Sequence, residues 1–175
     1  MKALSRLLGL LLLLGACAIA QDENAPTAEV FGGYSFVHSS LPGQGLNANG
    51  GSVSFAIDPE RWLGFVADFG GYHGSVAGFG VTNFTYLFGP RFSYRSKSFV
   101  TPFAHVLLGG IHQTANGFGA AGSQSGFSMA IGGGLDLKLD SHWAWRMIQA
   151  EYLYSSLQNQ QNNARISTGI VYRWD

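Results

Sequence analysis

Three histidines, His38, His73 and His112, fall near the ends of separate alternating segments, and imidazole is the side chain best suited to binding a metal or moving a proton near neutral pH. Their spacing matches neither HxH nor HExxH, so they read as rim or lumen residues rather than ligands. His38-Ser39-Ser40 puts an imidazole beside two hydroxyls, the pair a nucleophilic hydrolase uses. Such a pair also needs an orienting carboxylate and an oxyanion site, and neither can be placed beside His38. The glycine-rich stretch Gly117 to Gly126 has no Lys-Ser/Thr and opens no helix, so it is not a phosphate loop. No catalytic, cofactor or metal constellation is expected.

The charged residues are more informative, because they recur at alternate positions among large apolar ones. Phe84, Tyr86, Phe88, Pro90, Phe92 and Tyr94 share one face of a strand, while Asn83, Thr85, Gly89, Arg91 and Ser93 share the other. Near the C-terminus, Ile166, Ile170, Tyr172 and Trp174 lie opposite Arg165, Ser167, Gly169 and Arg173. Strict alternation puts Glu29, Asp68, Asp136 and Glu151 on the inner face with Arg91, Lys138, Arg165 and Arg173, a set able to pair. Only Arg146 is expected to point outward. Lumenal Gly33, Gly70, Gly89, Gly132 and Gly134 would make room for the long charged chains.

The elements that position these residues are strands. Charged residues are 11% of the chain and aromatics 14%, with 25 glycines, a composition poor in charge compared with soluble domains. Beyond the N-terminus no apolar run is long enough for a membrane helix. Ten acids balance ten bases, so no basic face invites nucleic acid. Alternation predicts eight strands at 28–38, 49–57, 62–73, 81–94, 99–112, 126–139, 143–155 and 164–174. Short charged connections (Asp58 to Arg61, Arg95 to Ser98, Asp140 to His142) alternate with longer uncharged ones at Ser39–Ala48, Gly74–Gly80, Thr114–Ser125 and Ser156–Asn163. That is the pattern of a closed antiparallel up-and-down transmembrane barrel, with tight turns and both termini in the periplasm. Trp62, Trp143, Trp145 and Trp174 all fall at the periplasmic rim, where an indole can sit among headgroups.

The first twenty residues read as a secretory signal. Lys2 and Arg6 precede the apolar run Leu7 to Leu14, and Ala18-Ile19-Ala20 offers a cleavage site before Gln21. Residues 21–27 are expected to form a periplasmic leader, and 28–175 the barrel domain. Leu14-Gly15-Ala16-Cys17 also fits a lipobox, so lipidation of Cys17, the sole cysteine, is the alternative processing.

Phe31-Gly32-Gly33-Tyr34-Ser35-Phe36, Phe88-Gly89-Pro90-Arg91-Phe92, Thr101-Pro102-Phe103-Ala104-His105, Gly132-Gly133-Gly134-Leu135-Asp136 and Glu151-Tyr152 together resemble the OmpA/OmpX-like outer-membrane β-barrel family. The resemblance implies residence among outer-membrane lipid of a Gram-negative-type bacterium. It also implies recognition of Gly169-Ile170-Val171-Tyr172-Arg173-Trp174 by the barrel-assembly machinery. Expected from these together is a structural or surface-interaction barrel with a filled, non-conducting lumen, no cofactor and no enzymatic activity. A small-solute transport barrel and a lipid-modifying enzyme are the other two readings, and the loops' extracellular partner is left open.

Overall fold

The computed structural model describes residues 28–41, 44–76, 79–95, 98–117, 120–157 and 161–174. The expected signal segment, Cys17, Gln21 and the expected leader at 21–27 lie outside the described residues. Eight strands follow one another: β1 (Ala28–Leu41), β2 (Gln44–Ile57), β3 (Leu63–Val76), β4 (Phe79–Ser93), β5 (Val100–Gly117), β6 (Ala120–Lys138), β7 (Trp143–Ser155) and β8 (Gln161–Trp174). Each pairs antiparallel with the next, and β8 closes on β1. The expected eight-stranded closed barrel is therefore the fold. Closure satisfies the strand edges that an open sheet would expose in lipid.

All the strands except β7, which spans the expected 143–155, are longer than alternation alone indicates, and the extra length lies at the end opposite the termini, called distal here. Most of Ser39–Ala48, Gly74–Gly80 and Thr114–Ser125, expected as loops, is paired strand, with β5 and β6 matched as far as Gly117 opposite Ala120. Small and polar residues there break the apolar pattern without breaking the ladder. Backbone pairing needs only main-chain groups, so alternation of side chains underestimates it.

Register fixes the tilt. A hydrogen-bonded row starting at Val30 passes Phe55, Ala67, Phe88, Leu108, Met129, Tyr154 and Asn162, then returns to β1 at Ser40, ten residues nearer the distal end. Spread over eight strands, each step climbs about one and a quarter residues, so residues at one height lie progressively lower on the ladder. This conversion locates rings of residues around the wall.

The outer face carries Phe55, Phe65, Phe84, Phe88, Phe92, Phe127, Ile131, Ile166 and Ile170, all exposed. A continuous apolar wall of this kind is far larger than the few-hundred-Å² patches of soluble monomers and suits hydrocarbon. Inside, Ala56, Val66, Leu87, Leu107, Ala130 and Leu153 form one apolar cluster, with Phe31, Ala144 and Val171 forming another near the termini.

One irregularity changes the faces. In β7, Asp136 pairs Arg146 while Leu135 pairs Ile148, so Met147 is an extra residue, and the β7–β8 register shifts over the same interval. Met147 and Ile148 both face out as a result. A β-bulge of this kind switches the parity of everything on one side of it. Trp143 and Trp145 consequently face outward and Arg146 inward, which corrects the outward placement expected for Arg146.

Candidate functional site

The barrel interior is where the charges gather. Arg165, on β8, is fully buried and grips Glu151 on the adjacent β7 through Nε (2.5 Å) and Nη2 (2.7 Å). Its Nη1 crosses the lumen to donate to Asp68 Oδ1 (2.8 Å) and the Tyr72 hydroxyl (2.6 Å), both on β3. Glu151 Oε1 also lies 2.7 Å from His105 Nε2 on β5. A planar guanidinium can serve a bidentate carboxylate and two further acceptors at once, which a lysine ammonium cannot do in fixed directions. Gly70, beneath the Tyr72 hydroxyl, illustrates the need for a bare backbone: a Cβ there would sit 2.0 Å from that oxygen.

A second charged layer lies nearer the termini. Glu29 on β1 receives Arg91 (2.7 Å), Arg95 (2.8 Å) and Arg173 (2.9 Å). Asp58, just past the end of β2, turns back under the barrel to accept from Arg91 (2.9 Å) and Arg95 (2.8 Å). Burial pushes the Asp58 carboxyl above its ordinary range despite Arg91, and the nearby Glu29 charge adds to that rise. Arg173 continues to Asp136 at 3.0 Å, and Asp136 is also held by Arg146 Nε at 2.8 Å. The Arg146 guanidinium lies between the rings of Phe31 and Phe103, 4.5 and 4.4 Å from their centroids.

Gln149 joins the two layers. It accepts from Arg146 Nη1 at 2.8 Å and donates to Glu151 Oε2 at 3.0 Å. Five carboxylates (Glu29, Asp58, Asp68, Asp136, Glu151) thus meet five arginines (Arg91, Arg95, Arg146, Arg165, Arg173) in one connected, formally neutral network. Each isolated charge would cost several kcal/mol to bury, so connection and neutrality are what make the arrangement tolerable.

Against the sequence expectation, the structure places Glu29, Asp68, Arg91, Asp136, Glu151, Arg165 and Arg173 inside and in mutual contact. Lys138 is corrected: at the last position of β6 it is exposed, and it makes no ion pair among the described residues. Its place is taken by Arg146, which the bulge turns inward. Asp58 and Arg95, which the sequence places in short turns, join the network as well, because a turn at the mouth of a narrow barrel can fold under it. Gln149 and Tyr72 carried no charge to draw attention.

Toward the distal mouth the interior becomes neutral. Gln113 donates to Asn83 at 2.9 Å and accepts from Gln124 at 2.8 Å. A cavity of about 260 Å³ there is lined by Gln113, Ala115, Gly122, Ser123 and Gln124.

The three strand-end histidines do not converge. His38, His73 and His112 are exposed on the outer wall, each tied across to the next strand: His38 Nδ1 to Asn47 (2.7 Å), His73 Nδ1 to Thr82 (3.0 Å) and His112 Nδ1 to Ser125 (2.8 Å). Among the described residues no group of three or more His, Cys, Asp or Glu is placed to hold a metal. His38 faces out while Ser39 is buried inside, so consecutive strand positions separate that imidazole and hydroxyl onto opposite faces. Trp62, Trp143, Trp145 and Trp174 are all exposed on the outer wall at the end that holds the termini.

The chain matches the family model described as outer membrane protein beta-barrel domain over residues 8–173. Among solved structures it is similar to Ail, the attachment invasion locus protein of Yersinia pestis, at 22% identity and a TM-score of 0.65, covering 86% of this chain and 99% of that one. It is also similar to Neisserial surface protein A at 14% identity and a TM-score of 0.69, covering 87% and 100%. A third is OprG from Pseudomonas aeruginosa, at 10% identity and a TM-score of 0.52, covering 86% and 96%. A search of curated proteins finds no match. At these identities the likeness to solved structures is one of fold.

Proposed function

The chain belongs to the outer membrane protein beta-barrel domain family, and from that premise we propose a structural or surface-interaction role with a filled lumen that neither conducts nor catalyses. The observation that carries this reading is the connected network from Arg95 through Glu29, Arg173, Asp136, Arg146, Gln149 and Glu151 to Arg165 and Tyr72. An eight-stranded barrel has an interior only wide enough for side chains to fill. A solute would have to part several charge-assisted bonds at once to pass. With tight turns and termini assigned to the periplasm, the distal hairpins face outside the cell, and the C-terminal strand presents its signal to the barrel-assembly machinery.

The distal segments support a neutral partner. Residues 39–50, 74–82, 113–126 and 155–164 contain no Asp, Glu, Lys or Arg. Ail has been crystallised with the heparin analogue sucrose octasulfate. A polysulfated ligand needs cations, and these segments hold no Lys or Arg, so contact here falls to the amides and hydroxyls of residues such as Asn116 and Ser123, which suit uncharged sugar or protein surfaces.

Single-channel recording of the purified mature barrel in planar bilayers tests the proposal. Electrical silence is the expected outcome. Stable steps on the nanosiemens scale would overturn the filled lumen and establish small-solute transport instead.

A further inference from the structure

The histidines on the outer wall share one height. His38 lies on the ladder row of Asn47, whereas His73 lies on the row of Asn49, two residues lower on β2. His73 in turn shares its row with Thr82, and His112 with Phe84, two residues lower on β4. A drop of two residues for every two strands nearly cancels the climb of the rows, about two and a half residues over the same interval. The three imidazoles therefore ring one side of the barrel at a single level, on β1, β3 and β5. They are separated by about two strand spacings, on the order of 10 Å. Polar cross-strand pairs continue the belt: Tyr34 with Asn49, and Tyr152 with Asn162 at 2.7 Å. Below it the outer face is aromatic and aliphatic, with Phe55, Phe88 and Leu108 exposed; above it come Ser75 and Asn116. The belt thus marks the edge of the hydrocarbon at the distal end.

We propose that His38, His73 and His112 form a docking belt for the net-anionic phosphate headgroups of outer-leaflet lipid, those with no cation of their own, engaging them most strongly when the imidazoles are protonated. The inference rests on the periplasmic assignment of the termini. Each ring has Nδ1 occupied by Asn47, Thr82 or Ser125, which leaves Nε2 as the nitrogen for a group outside the protein. Asn47 Oδ1 can only accept, so His38 Nδ1 carries a proton in that bond. For His38 protonation then adds an N–H at Nε2, and in all three rings the protonated form presents a charged donor for which phosphate oxygens are strong acceptors.

The protein supplies no competing anion. Facing these rings across the ladder are Asn47 and Asn49 on β2, Thr82 and Phe84 on β4, Ser125 on β6, and Ala164 on β8. The belt's other titratable members are the phenols of Tyr34 and Tyr152. All described carboxylates are in the lumen or at the opposite end, as are the arginines and Lys138. A charged imidazole at this level therefore takes its counter-ion from outside the protein.

The test uses the mature protein in nanodiscs of phosphatidylcholine, and of phosphatidylcholine mixed with phosphatidic acid, followed by NMR titration of the histidine ring signals. In the phosphatidic acid discs the three belt histidines should titrate about one unit higher, equivalent to tenfold tighter phosphate binding by the charged ring. His142, exposed at the other rim, reports the general surface potential and should move less. Equal movement of all four would overturn the proposal. So would reproduction of the shift by inorganic phosphate added to neutral discs. As a second readout, the gain in unfolding temperature that phosphatidic acid confers at mildly acid pH should disappear in the H38Q/H73Q/H112Q protein. An unchanged gain would also refute the belt. Both leaflets of a disc have the same lipid, so these outcomes do not depend on barrel orientation, and conductance tests the filled lumen separately.

Discussion

Replacing Arg165 by Met removes the charge at the centre of the distal layer while keeping most of the aliphatic stem. The change deletes two bonds to Glu151, one to Asp68 and one to Tyr72. Glu151 keeps His105 and Gln149, but Arg165 is the ion-pair partner of Asp68 among the described residues. The substitution therefore leaves one buried carboxylate stranded, and breaking a buried pair in this way costs about 3–5 kcal/mol. For a domain of this length each kcal/mol moves the midpoint by about 2–4 °C, which places the expected fall at about 6–20 °C. The assay is the fraction of protein keeping its folded mobility on SDS gels after heating in small temperature steps. Asn116→Ala, on the exposed distal surface, is the comparator and should stay within about 0.5 kcal/mol of the parent. Adding Asp68→Leu to Arg165→Met removes the stranded carboxylate and should recover more than half of the loss. A single variant that melts with the parent, or a double variant no better than the single, would refute the view that pairing across the lumen holds this layer.

Two further outcomes are expected. Asp140 accepts the backbone N–H groups of His142 (2.7 Å) and Trp143 (2.8 Å), and these bonds hold its carboxyl below the ordinary aspartate range. A carboxylate lowered in the folded state stabilises above its unfolded pKa of about 3.9 and loses that contribution as pH falls through the folded value. Asp140→Ala should accordingly lower the unfolding temperature at neutral pH, with the difference from the parent closing below about pH 4; a deficit that persists undiminished in acid would show that the turn bonds are not its source. Separately, the intact mass of protein recovered from outer membranes should correspond to a chain starting at Gln21 or its cyclised form, whereas acyl mass on Cys17 would reassign the cleavage.

Much of the barrel was legible because a wall between lipid and a narrow lumen enforces period-two alternation. Phe84 to Phe92 and Arg165 to Arg173 disclosed both faces from the sequence, and their strands form as expected. Alternation says less where both faces meet water, which is why the distal extensions of β5 and β6, rich in Gly, Ser and Ala, read as loop. Nor does it register the fate of a turn. Asp58 and Arg95 occupy positions that normally belong to solvent, and their burial follows from the mouth of the barrel being narrow enough for a turn to cover.

Arg146 is the most instructive failure, because the sequence contained a conflict that strict alternation suppressed. Counting back from Glu151 in steps of two puts Gln149, Met147, Trp145 and Trp143 inside and Arg146 and Ile148 in lipid. Two tryptophans in a crowded lumen and an arginine on the apolar wall are each unfavourable; a charge there costs about 2–4 kcal/mol at mid-membrane. Inserting one residue between Arg146 and Gln149 reverses the assignment for 143–146 while preserving it for 149–155. The adjacent apolar pair Met147-Ile148, each able to face lipid, is the place where such an insertion is cheapest. The bulge stands there, and it delivers to the lumen the guanidinium that lies between Phe31 and Phe103 and reaches Gln149. Without it Asp136 would lose Arg146 and keep only Arg173 among its ion pairs, and the two charged layers would no longer be joined. A single extra residue in β7 is thus what makes the interior one network rather than two.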